Sequence, residues 1–73
     1  MKVKIANRMY EMSRRAYQGL LKIASEQVPF GIYAVEKGEY AELRNDTFPS
    51  STKLKEAIRS FKAQGYRVMA NGR

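Results

Sequence analysis

Residues 50–66 of the chain read SSTKLKEAIRSFKAQGY. Both ends of a helix are marked within them. Leu54, Ala57, Ile58 and Phe61 recur at i, i+3, i+4 and i+7, which makes one apolar stripe. Ser50 or Ser51 suits the N-cap, where a hydroxyl accepts a bond from an otherwise unpaired first-turn amide. Gly65 stands where a left-handed residue closes a helix, and Tyr66 then falls opposite Phe61, the apolar contact of a Schellman stop. Lys55, Arg59 and Lys62 share a different side. The stretch thus offers one face to a core and another to a partner.

Working back from it, Phe30 to Asn45, FGIYAVEKGEYAELRN, alternates and turns near Lys37-Gly38, which reads as a hairpin. Pairing Val35 with Tyr40 sets Ala34 against Ala41 and Ile32 against Leu43. Phe30, Ile32, Ala34, Ala41 and Leu43 are then expected to face the helices. Tyr33, Val35, Tyr40, Glu42 and Arg44 are expected to face away. The tightest register would oppose Glu36 to Glu39, so a four-residue loop is the alternative. Upstream, SRRAYQGLLKIASEQ reads as a helix capped by Ser13 and ended by Pro29, with Tyr17, Leu20, Leu21 and Ala24 inward. Gly19 weakens it by up to about 1 kcal/mol against Ala, and would let a neighbour pack closely. Arg14 and Arg15 oppose the helix dipole.

At the N-terminus, Val3 and Ile5 are odd-numbered while Tyr10 and Met12 are even-numbered. A straight strand would split them between two faces. A hairpin turning at Asn7-Arg8 reunites them and pairs Lys4 with Glu11, and a single bulged strand is the alternative. After Gly65, YRVMA reads as a closing strand, and Asn71-Gly72-Arg73 is expected to fray. The order β-β-α-β-β-α-β predicts a single α+β domain over 1–73. The expected form is a two-layer sandwich, with two helices on one face of a mainly antiparallel sheet.

Composition narrows function by exclusion. The chain has no cysteine and no histidine, so a thiolate or imidazole zinc site is impossible and the usual general base is missing. Its five glycines never form a phosphate-cradling loop. Glu36, Glu39, Glu42 and Asp46 lack the spacing of a calcium loop. No enzyme activity and no cofactor are expected. No apolar run approaches the about 18 residues that span a bilayer, and the expectation is a soluble cytoplasmic protein without a membrane partner.

Charge is the strongest signal. Fourteen Lys and Arg against seven Asp and Glu give +7. From Ser50 onward there are six bases and one acid. Such a field suits nucleic acid or an acidic protein surface. Two constellations could meet that partner. One is the helical row Lys55, Arg59 and Lys62, extended by Lys53 and Arg67, which could track a phosphate backbone. The other is the sheet face carrying Tyr33, Val35, Tyr40 and Arg44, with Arg67 and Met69, where aromatics and cations together suit base stacking.

That face superficially resembles an RNA-recognition module, and Lys37-Gly38 stands where that family's strand motif would begin. Glu39 replaces the first aromatic, and Leu43 and Arg44 do not restore the pattern, so the family's residues are not carried over. In kind, the short basic chain looks like the small accessory proteins of bacteriophages and mobile elements, many of which bind a host protein. The expected function is a non-enzymatic binding domain for nucleic acid or a nucleoprotein complex, with an inhibitor or adaptor of that accessory type as the alternative. A homodimer through a strand edge or the sheet face is a subsidiary expectation.

Overall fold

The structure, a computed structural model, describes residues 1–72. Its elements are β1 (Lys2–Ile5), β2 (Arg8–Glu11), α1 (Arg14–Gln27), β3 (Gly31–Lys37), β4 (Tyr40–Thr47), α2 (Ser51–Ala63) and β5 (Arg67–Asn71). Both helices begin and end where local chemistry dictates. Ser13 Oγ accepts from the Ala16 amide at 3.1 Å, and Ser50 Oγ from the Lys53 amide at 3.3 Å. At the end of α2, Gly65 takes φ +92°. The Tyr66 amide donates to the Phe61 carbonyl at 3.1 Å and the Gly65 amide to the Lys62 carbonyl at 3.0 Å. These are the two bonds of a Schellman stop. The Phe61 and Tyr66 rings meet edge-on, centroids 5.7 Å apart.

The five strands form one sheet in the order β2-β1-β4-β3-β5. Only β1 and β4 are parallel; the other neighbours are antiparallel. The fold is therefore α+β, with the expected element order and a mainly antiparallel sheet. The N-terminal hairpin belongs to this sheet through β1.

The layering differs from expectation: the helices lie on opposite faces. Val35 packs with Leu54 and Ile58 of α2. The next residue, Glu36, accepts a hydrogen bond from Tyr17 of α1. Its cross-strand partner Ala41 clusters with Tyr17 and Val3. Adjacent strand residues point to opposite faces, so α1 and α2 must be separated by the sheet. Crossover handedness explains why. The β2–α1–β3 and β4–α2–β5 connections step across the sheet in the same direction, but their strands run oppositely. Two right-handed crossovers related in that way must pass over opposite faces. The core is accordingly double. Ile32, Val35, Leu54, Ile58 and Val68 fill the α2 side, and Val3, Tyr17 and Ala41 the α1 side.

Three local registers also depart from the sequence reading. The first hairpin turns at Ala6-Asn7, φ +49° and +68°, rather than at Asn7-Arg8. A two-residue turn with both centres left-handed is better served by Asn7 second than by Arg8. Lys2 then opposes Glu11, and Lys4 opposes Met9. The second hairpin turns at Gly38-Glu39, with Gly38 at φ +61° and Lys37 opposite Tyr40. Glu36 thereby meets Ala41 instead of Glu39, which removes the like-charge opposition. Finally, the register shifts between Ile32 and Ala34 against both neighbouring strands. That irregularity lets Ile32 and Val35 share the α2 side although they are three residues apart. The expected inward set therefore divides, with Ile32 toward α2 and Ala41 and Leu43 toward α1. Asn71 does not fray: its side-chain amide donates to the carbonyls of Ser25 (3.0 Å) and Val28 (3.1 Å). The expected fraying of Arg73 lies outside the described residues.

Candidate binding surface

Turning α2 about its axis separates its cations. Lys55, Arg59 and Lys62 are exposed along one flank and rim a shallow hollow floored by Ile58. Among the described residues none of the three forms a salt bridge. Lys53 lies on the opposite flank, where its ammonium is 3.7 Å from Glu56, the only acid of α2. It does not extend the row. Phe61, on the Lys53 side of the helix, leans toward β4 and lies beneath the Arg44 guanidinium, 5.0 Å from ring centroid to charge.

The second expected constellation is not one surface. Arg44 is clamped between Glu42, at 3.1 Å, and Asp46, its closest partner. The bond to Asp46 holds its proton even more firmly than usual. That cation is committed within the fold. Tyr40 is half-buried on the α2 side, and burial raises its phenol above the ordinary value. Arg67 opposes Glu36 and so lies on the α1 side, as the alternation with buried Val68 requires. Tyr33 sits half-buried at the register shift. The structure thus gathers Lys55, Arg59 and Lys62, and leaves Lys53, Arg67, Tyr33, Tyr40 and Arg44 elsewhere.

Sequence reasoning missed several polar partnerships. Lys37 donates to the Gln64 carbonyl at 3.0 Å and stands 5.3 Å over the Tyr66 ring, so it caps α2 from the neighbouring hairpin. Arg14 meets Glu39 at 2.7 Å, which accounts for a base in the first turn of α1. Tyr17 is fully buried and donates to Glu36 at 2.5 Å. Only the Tyr17 position at the centre of an apolar stripe signalled that a polar tip would need a partner.

Tyr17 carries a pH prediction. Burial, then the Glu36 bond, raise its phenol well above the ordinary value, so the fold retains a proton that the unfolded chain releases. The contribution is complete below about pH 10 and is lost as pH rises beyond it, at up to about 1.4 kcal/mol per pH unit. Urea denaturation between neutral and alkaline pH is expected to show this fall. Tyr17→Phe is expected to lower neutral stability by about 1 kcal/mol and to flatten the alkaline decline. An unchanged alkaline slope in the variant would disprove the assignment.

Comparison with known protein families, curated proteins and solved structures finds no match to this chain. Among the described residues, no helix is long and apolar enough to cross a membrane, and no group of three or more acidic side chains could hold a metal ion.

Proposed function

We propose that the chain is a small non-enzymatic domain that contacts the phosphate backbone of a nucleic acid, alone or in a nucleoprotein complex, through the basic flank of α2. The observation that carries this reading is the row Lys55, Arg59 and Lys62, exposed and, among the described residues, in no salt bridge, while most of the acids are engaged elsewhere. Glu11, Glu39, Glu42, Asp46 and Glu56 all sit in ion pairs. The row spans about 10 Å at 1.5 Å per residue, a length over which duplex DNA presents several phosphates. Among the described residues no exposed aromatic side chain shares that flank, so the contact is electrostatic and does not read bases. A reducing cytoplasmic setting suits a chain without cysteine.

Anisotropy titrations with DNA and RNA across salt concentration test the proposal. Three phosphate contacts give a slope of log K against log salt near about −2 to −3. The combined Lys55→Ala, Arg59→Ala and Lys62→Ala variant is expected to lose most of the affinity and most of the slope. Undetectable binding at low salt, or salt-indifferent affinity, would sink the idea.

The hollow's floor favours a second reading. Ile58 offers an apolar contact that a phosphate backbone does not use, whereas an acidic protein surface could meet both the floor and the rim. The domain would then be an inhibitor or adaptor. A partner captured from lysate that survives nuclease treatment supports this reading; one lost on treatment supports the first.

A further inference from the structure

The far edge of the sheet carries a different kind of surface. β2 has one neighbour, β1, and all four of its residues are exposed. Met9, 52 % exposed, and Tyr10, 43 %, are its two large apolar side chains, one on each face of the sheet. The third exposed large apolar side chain, Ile23, is alone on α1. At the opposite edge, Val68 of β5 is buried and Met69 and Ala70 are half-buried. An edge strand also presents unpaired amides and carbonyls, a template for another strand.

We propose that β2 pairs antiparallel with β2 of a second copy of this chain, about a two-fold axis at Tyr10, so that two five-stranded sheets become one.

The register follows from the backbone. Met1 and Met12 exchange both hydrogen bonds, at 2.8 and 3.0 Å. Bonded and non-bonded pairs alternate along an antiparallel ladder, so Val3–Tyr10 and Ile5–Arg8 are also bonded pairs. The backbone groups of Arg8 and Tyr10 therefore point to β1, and those of Met9 and Glu11 point outward. A two-fold axis normal to the sheet keeps like faces together, so residues facing each other across it differ by an even number. Three alignments of the outward residues satisfy both conditions, and the one that sets Glu11 against the partner's Glu11 opposes like charges and is rejected. Met9 against the partner's Met9 makes two hydrogen bonds and sets the turn residue Asn7 against the partner's Glu11. Met9 against the partner's Glu11 makes four bonds and places Tyr10 against the partner's Tyr10.

The last alignment is self-complementary in charge as well. Glu11 faces the partner's Met9, and Arg8 faces the partner's Met12, so no like charges are opposed. Arg8 lies on the same face as Tyr10 and diagonally reaches the partner's Tyr10 ring, a cation–π arrangement. A second copy supplies this match twice over by symmetry, which is why it is the occupant. The contact buries little area, so dissociation falls roughly in the micromolar to millimolar range.

The absence of cysteine allows a direct test. Tyr10 would form a non-hydrogen-bonded pair with its symmetry mate, Cα atoms about 4.5 Å apart, within disulfide reach. Under mild oxidation, Tyr10→Cys is expected to cross-link at least about tenfold faster than Met9→Cys or Ile23→Cys, whose symmetry mates are beyond that reach. In sedimentation, the unmodified protein is expected to shift from 8.4 kDa toward twice that mass as concentration rises. Tyr10→Lys, with an unchanged circular dichroism spectrum, is expected to stay monomeric. Equal cross-linking of the three cysteine variants, a monomeric mass up to about 1 mM, or a dimer that survives Tyr10→Lys would each overturn the proposal.

Discussion

Gly31→Ala is expected to unfold the domain. Gly31 opens β3 with φ +154°, a conformation that side chains rarely adopt. A Cβ there would lie 1.9 Å from the Asp46 carbonyl oxygen and 3.0 Å from a Val28 methyl. Neither can yield. Asp46 is part of β4, and Gly31 is itself paired to Thr47 on one side and Asn71 on the other. Relief would require breaking the ladder where the two largest strands meet. A domain of this size holds only about 3–5 kcal/mol of net stability, so a clash against backbone exceeds what the fold can absorb. Gly19→Ala is the matched control. Gly19 is exposed inside α1 and a Cβ there meets nothing within 4 Å. Helix propensity then acts alone, and the variant is expected to gain up to about 1 kcal/mol. Circular dichroism with urea denaturation measures both. A Gly31→Ala protein with a cooperative transition near that of the parent would refute the clash.

The same glycines show where the sequence was legible. The stop at Gly65 could be read because it is local: a helix end, a residue tolerant of positive φ and an aromatic pair five residues apart. Gly19 was read as room for a neighbour, and it faces open space. The row Lys55, Arg59 and Lys62 followed from helical spacing alone, and the structure keeps it together. The tyrosine-bearing face was misread for two reasons: strand parity carries no information across the register shift at Tyr33, and the face that keeps Val35, Tyr40 and Arg44 together is the one α2 covers. Val35 packs under α2 there, and Arg44, on the same side, is held by Glu42 and Asp46. The placement of α1 and α2 was harder still. Amphipathic stripes say that each helix covers apolar sheet, not which face it covers. Face is set by strand order, and strand order depends on the parallel pairing of β1 with β4, which joins residues far apart in sequence.

That placement has its own consequence in the core. Leu54→Ala is expected to remove about 2–5 kcal/mol, leaving the domain at or beyond its limit. Leu54 is fully buried among Ile32, Val35, Ile58 and Val68, and among the described residues no other helix lies on that side to collapse into the space. Thermal or urea denaturation is expected to show partial or complete loss of the folded baseline at 25 °C. A loss below about 1 kcal/mol would mean that the α2 side is loosely packed. A gentler substitution on the same side tests the layering itself. Ile58→Val is expected to cost about 1 kcal/mol, which leaves enough fold to combine it with Tyr17→Phe on the other face. Side chains divided by a sheet share no partners, so the two losses should add to within about 0.5 kcal/mol. A coupling above about 1 kcal/mol would place Ile58 and Tyr17 in one core, as two helices on one face require.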